Sequence, residues 1–189
     1  MPEKNINSTT MLPAALRPTP DESGMTVPQL LEHRINALFE QIPLVAELGE
    51  AFAQAGHDLY LVGGSVRDAL MGRLGHDLDF TTDARPDDTE AILRQHTHAT
   101  WDIGRAFGTI GAQIDDWVVE VTTYRADAYH PDSRKPEIVY GETLKDDLIR
   151  RDFTVNAMAL HAATRTFSDP YAGLTDIVSG ILRTPFPPE

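Results

Sequence analysis

The sequence predicts a mixed α/β domain, and three observations carry the prediction. Apolar residues recur at helical spacing through residues 26–55. Short apolar runs ending in glycine turns follow from residue 59. Two alternating runs, 107–114 and 117–124, flank an Asp-Asp pair. The order helix, strand, helix, strand, helix and hairpin is that of a sheet with helices packed on it.

Residues 1–25 mix Pro, Ser, Thr and charge without apolar periodicity and are read as a mobile leader. From Thr26, which pairs with Gln29 as a capping box, Leu30, Leu31, Ile35, Leu38 and Phe39 mark one helix. Pro43 breaks it. Leu44, Val45, Leu48, Phe52 and Ala55 mark a second, stopped by Gly56. Leu59 to Val62 is a strand running into Gly63-Gly64, and Ser65 is placed as the cap of a helix reaching Met71. After Gly72 and Gly75, Asp77 to Thr82 is a strand, and Asp83 with Pro86 opens a helix to about His96. The hairpin 107–124 follows, then a polar loop over 125–137. Glu142 to Arg151 is read as a helix, Val155 to His161 as an apolar segment and Phe167 to Gly173 as a turn. The Pro-rich end, 184–189, reads as a linker cut short.

Composition narrows the function classes. No run of about eighteen apolar residues is present, so no membrane span is expected. No basic stretch leads into an apolar core at the N-terminus, so no secretory signal is expected. The absence of cysteine removes disulfides, thiolate metal sites and cysteine nucleophiles, and fits a cytoplasmic protein. A net charge of −13 argues against the whole surface being a polyanion-binding field, although a local basic patch is compatible with it. None of the seven histidines has a metal-binding spacing.

Five segments can carry chemistry. In Asp77-Leu78-Asp79 the two acids share one face of a strand, where they repel unless a cation lies between them. Mg²⁺ suits carboxylate and phosphate oxygens together, but taken alone a D-x-D is more often a solvated surface pair. Gly63-Gly64-Ser65-Val66-Arg67-Asp68 offers backbone N–H groups to an anion and Arg67 to a phosphate; a plain strand-to-helix turn is the alternative. Glu120, flanked by Val119 and Val121, faces water or serves as a third acidic group. Arg150-Arg151-Asp152 ends a helix, where arginines suit the dipole; Arg151 could instead reach a triphosphate, with Asp152 and Asn156 beside it. Gly104, Arg105 and Gly108 suggest a mobile loop near the site.

In combination, LVGGSVRDALMGR, DLDFTTDA, VEVTTYRAD and LIRRDFTVNAMAL, in this order and spacing, resemble class II CCA-adding tRNA nucleotidyltransferases and the related bacterial poly(A) polymerases. Both belong to the polymerase β-like nucleotidyltransferase superfamily. The likeness spans about residues 57–183 and includes Asp169-Pro170 and Gly173. It implies a head with a mixed, mostly antiparallel sheet flanked by helices, the helices of residues 26–56 packing on it. Asp77 and Asp79 match the metal-binding aspartates, and Glu120 matches the position expected for the third catalytic carboxylate. Gly64 and Arg67 match positions that contact the incoming nucleotide, with Gly63 and Ser65 in the same turn. Arg151 matches a triphosphate-contacting arginine. Gly104 to Thr109 occupies the place of a flexible loop linked to the switch from CTP to ATP addition. Arg134 lies in a stretch like the family's arginine–proline loop.

The implied reaction moves a nucleoside monophosphate from CTP or ATP to the 3′-hydroxyl of tRNA. Two Mg²⁺ ions are expected with substrate, one acting on the attacking hydroxyl and one on the leaving group. The likeness also implies a base-selecting neck and RNA-gripping body, and no such segment follows Arg183. Two further readings stay open: poly(A) addition to RNA, and a fragment that binds nucleotide and metal without chemistry.

Overall fold

The computed structural model describes residues 18–126 and 139–186. Two helices open the fold: α1, Val27–Gln41, and α2, Pro43–Gln54. The Thr26 backbone N–H donates to Gln29 at 2.9 Å, completing the expected cap of α1, and prolines sit in the first turns of both helices. Strand β1, Leu59–Val62, runs into α3, Gly63–Leu70. Strand β2, Asp77–Thr82, is followed by α4, Pro86–Leu93. Then come β3, Thr100–Trp101; β4, Thr109–Ile114; and β5, Trp117–Thr123. Short β6, Arg125–Ala126, pairs with β7, Val139–Tyr140. Helix α5, Leu144–Ile149, precedes β8, Ala159–His161; β9, Phe167–Ser168; and α6, Gly173–Ser179.

The seven-stranded sheet runs β3-β4-β5-β2-β1-β8-β9. Only β2 with β5 is parallel; the other neighbours are antiparallel, so the sheet is mixed and mostly antiparallel, as expected. Its two faces differ. Leu59, Leu61, Leu78, Phe80, Ile110, Val119, Val121 and Leu160 point to one face and join Leu38, Leu48, Phe52, Val66 and Leu93 of the helices in the main core. Alternate residues point to the other face, where Leu148 of α5 makes a smaller cluster with Val62, Ala157 and Ala159. The helical layer is tightly seated: a Cβ on Gly49 of α2 would lie 2.5 Å from the Ala163 backbone nitrogen.

The structure departs from the sequence expectations in several places. Order reaches back past Thr26 into the expected mobile leader. Residues Pro20–Glu22 form a 3-10 turn in which Glu22 accepts from the Thr19 N–H at 2.7 Å. Glu22 is buried against Arg34 of α1, whose guanidinium also donates to the Leu70 carbonyl at 2.6 Å. Helix α3 begins at Gly63, so Ser65 lies inside its first turn and does not cap it. Helix α4 stops at Leu93 and α5 spans fewer residues than expected. The sequence pattern does not predict the two-residue strands β3, β6, β7 and β9, which are too short to show alternation; β9 pairs with β8 at the start of the stretch expected to be a turn, Phe167 to Gly173. Nor does it predict α6, whose start is capped by Asp169 accepting from the Gly173 and Leu174 N–H groups at 2.7 and 2.9 Å. Arg134 lies outside the described residues.

Candidate active site

The alternation of β2 creates the acidic part of the site. Leu78 and Phe80 turn into the core, which sends Asp77, Asp79 and Thr81 to the opposite face. Parallel pairing then sets Asp79 beside Glu120 and Asp77 beside Val118. Asp77, Asp79, Val118 and Glu120 line one open pocket of about 280 Å³. The three acids predicted from sequence are therefore brought together. A depression of about 450 Å³ beside α1 is larger, but its lining, including Gln29, Glu32, His33 and Asn36, joins no phosphate-binding turn.

The acids share an unusual electrostatic position. Among the described residues, none of the three carboxylates has a hydrogen bond or salt bridge. Burial pushes the half-buried Asp79 carboxyl above its ordinary range; Asp77 adds to that shift and Arg151 opposes it. Like charges held without protein partners fit a divalent cation. Among the described residues no group of three or more His, Asp or Glu side chains is gathered closely enough to hold a metal ion by itself. Mg²⁺ commonly takes one or two carboxylates and completes its shell with water and substrate phosphates, so it needs no more than the Asp77 and Asp79 pair from the protein.

Ser65 fixes the acids to the glycine turn. Its hydroxyl donates to the Asp77 carbonyl and accepts from the Asp79 N–H, both at 3.1 Å. The serine thus pins the first turn of α3 to the strand that carries both aspartates. Gly63 has φ +66°, a left-handed conformation that favours glycine, and a Cβ there would lie 3.1 Å from the Arg151 guanidinium. Arg151 therefore stands against the turn, within electrostatic reach of Asp79.

A chain of hydrogen bonds holds the remaining predicted residues. Arg67 grips Asp68 through two nitrogens, at 3.0 and 3.2 Å, and donates to Asn156 at 2.6 Å. Asn156 donates in turn to Asp152 at 2.9 Å, and Asp152 also accepts from the Phe153 N–H at 2.8 Å. Arg67, Asn156 and Asp152 are thus one network, in which Asp152 orients Asn156. Arg105 sits in the 3-10 turn Arg105–Phe107 and ion-pairs with Asp87 and Glu90 of α4. Gly108 closes that turn at φ +79°, and Ile103 and Phe107 are exposed.

Sequence reasoning missed Asp147 and Arg125. Asp147 is buried and accepts from Arg151 at 3.0 Å and from the Arg125 backbone N–H at 3.3 Å, with Arg150 3.8 Å away. The four-residue spacing from Asp147 to Arg151 on a predicted helix was the available signal. Arg125 and Arg151 each bury an Nε without a hydrogen-bond partner. A basic patch therefore adjoins the acids in a chain of net negative charge.

The chain has counterparts among known proteins. Residues 59–183 match the family described as the poly A polymerase head domain. The CCA-adding enzyme of Staphylococcus aureus (strain MRSA252) is 41% identical over 150 residues, 78% of this chain and 35% of that protein. The crystal structure of the Bacillus stearothermophilus CCA-adding enzyme in complex with CTP superposes with a TM-score of 0.65 at 35% identity, covering 76% of this chain and 33% of that one. A tRNA nucleotidyltransferase complexed with a primer tRNA and an incoming ATP analog gives 0.60 at 31% identity, over 74% of this chain and 39% of that one. The chain thus spans about a third of the length of these relatives. With 125 consecutive residues matched and the acids, glycine turn and arginines converging on one face, the chain belongs to the poly A polymerase head domain family.

Proposed function

We propose that this chain is the catalytic head of a CCA-adding tRNA nucleotidyltransferase, transferring CMP and AMP from CTP and ATP to an RNA 3′-hydroxyl. The observation that carries the reading is the pocket of unpaired carboxylates beside the Gly63–Arg151 turn. Residues 57–183 form the catalytic unit and 26–56 its helical support. A cytoplasmic location agrees with this role, and among the described residues no helix is long and apolar enough to cross a membrane.

Asp77 and Asp79 would hold Mg²⁺, with Glu120 as the third acid. When bound, divalent ions acidify the attacking hydroxyl and stabilise charge on the leaving group. The protein's own groups supply position and field. Gly63 and Gly64 leave room for phosphate against the backbone at the N-terminus of α3. Arg151 and Arg67 offset the growing charge on departing pyrophosphate. Ser65 keeps the acids and the turn in register, which limits misalignment between hydroxyl and phosphorus. Gly104, Arg105 and Gly108 are assigned to a moving segment that the Arg105 ion pairs latch to α4.

Poly(A) addition is the second reading, favoured by the description of the matching family. An incorporation assay on the full-length protein separates the two, using tRNA that ends before CCA. Ordered C, C, A addition from CTP and ATP together is the expected result. Long A tails from ATP alone would establish the second reading, and no product would refute both.

A further inference from the structure

Trp101 lies at the far end of a straight row across the sheet. Trp101 pairs with Gly111, Gly111 with Glu120, and Glu120 with Asp79. Residues paired across adjacent strands share a face, so the indole lies on the same face as the acids. Strands are spaced by about 4.8 Å, which puts the Trp101 backbone roughly 10 Å from that of Glu120. The indole leans into this gap: a Cβ on Gly111 would overlap its Cε2 and Nε1 atoms. Gly111 is therefore the space the indole occupies. The ring is half-buried, and Trp101 joins neither hydrophobic core cluster. Trp117, by contrast, packs against the main core.

A large aromatic ring outside the core and beside a charged pocket suits the face of a nucleobase. The order across the sheet says which base. The phosphate turn, Gly63-Gly64 with Arg151, follows β1 on one side of the acids. Trp101 is on the other side. In phosphoryl transfer the attacking and leaving oxygens are roughly in line. If pyrophosphate departs toward Arg151, the attacking hydroxyl enters from the Glu120 side, where the indole waits.

We infer that Trp101 is a stacking platform for a base at the 3′ end of the RNA acceptor. The inference rests on the nucleotidyl-transfer reading for its direction, and on the row Trp101–Gly111–Glu120–Asp79 for its place. Stacking is tolerant of base identity, as an acceptor end that changes with each addition requires.

The test compares Trp101→Ala and Trp101→Phe in the full-length protein. Trp101→Ala is expected to raise KM for RNA about tenfold while KM for CTP stays within about twofold, and Trp101→Phe to recover most of the loss. An unchanged KM for RNA, or a rise confined to the triphosphate, would overturn the assignment. A second measurement does not need catalysis. In the 189-residue chain carrying Trp117→Phe, Trp101 is the sole tryptophan. Its fluorescence should be quenched saturably by a short cytidine oligomer and far less by an abasic oligomer of equal length. Equal responses to the two, or none at millimolar oligomer, would refute stacking even if the wild-type protein proved to transfer no nucleotide.

Discussion

The acidic patch on the central strands β2 and β5 and the Glu22–Arg34 clasp both hold charge partly away from water, yet they treat it in opposite ways. Glu22 has two contacts from Arg34, at 2.9 and 3.0 Å, and a backbone donor from Thr19. These hydrogen bonds, the Arg34 contact foremost, hold its carboxyl down at about 2 against an ordinary 4.5. Asp79 has no such partner, and burial together with Asp77 raises its carboxyl. A charge that supports the fold is neutralised within the fold. The Asp79 charge, proposed to meet a cation, has no protein hydrogen bond or salt bridge among the described residues and is raised by burial instead.

The largest effect should come from the acidic patch. Asp77→Asn or Asp79→Asn in the full-length protein is expected to slow the chemical step by on the order of 10²–10³-fold, the scale of other preorganised electrostatic groups. Thermal melts in metal-free buffer should show no loss of stability in Asp79→Asn. A variant of either residue with near-normal single-turnover rate would remove the metal assignment.

The clasp should behave in the reverse manner. Glu22→Gln removes the buried carboxylate that takes two contacts from Arg34 and is expected to cost about 3 kcal/mol of stability, with little change in rate per folded molecule. The pH dependences carry opposite signs. Glu22 ionises more readily in the folded state, so its contribution is complete above about pH 4.5 and fades as pH falls toward about 2. The deficit of Glu22→Gln should shrink over that window. Asp79 ionises less readily in the folded state, so its penalty is present at neutral pH and is relieved on acidification. Any stability gain in Asp79→Asn should vanish at low pH. Denaturant titrations across pH 2–7 would check both; parallel slopes would erase the contrast.

A smaller effect is expected at the joint between strand and turn. Ser65→Ala removes a hydroxyl that serves Asp77 and Asp79, for a loss of about 1 kcal/mol in stability. Turnover should fall more than the melting temperature alone would explain. The smallest expected effect is a difference between bases. The site groups are proposed to meet metal and phosphate and not the base, so calorimetry on the 189-residue chain with Mg²⁺ should find CTP and ATP affinities within tenfold, about 1.4 kcal/mol. A larger preference would mean that this face also reads the base.

Much of the site was legible because strand alternation is a local rule. Asp77 and Asp79 had to share a face once Leu78 and Phe80 were assigned to the core. Pairing of Asp79 with Glu120 was not legible, because nothing in either segment reveals that β2 and β5 run parallel as neighbours. The clasp was hidden for a similar reason: Glu22 sits in a polar stretch, and its meaning comes from Arg34 twelve residues later. The place of Ser65 after the Gly63-Gly64 turn predicts a helix cap, whereas its hydroxyl bonds to β2. Short β3 escaped notice because two residues show no period, and with it the proximity of Trp101 to the acids.

The most direct test counts the cation. Mn²⁺ binding to the 189-residue chain, followed by electron paramagnetic resonance with a non-hydrolysable CTP analogue, can be compared with Asp77→Asn and Asp79→Asn. Nucleotide-dependent Mn²⁺ retention that weakens at least tenfold in each variant is the predicted result. Equal retention by all three proteins would contradict the account at its centre.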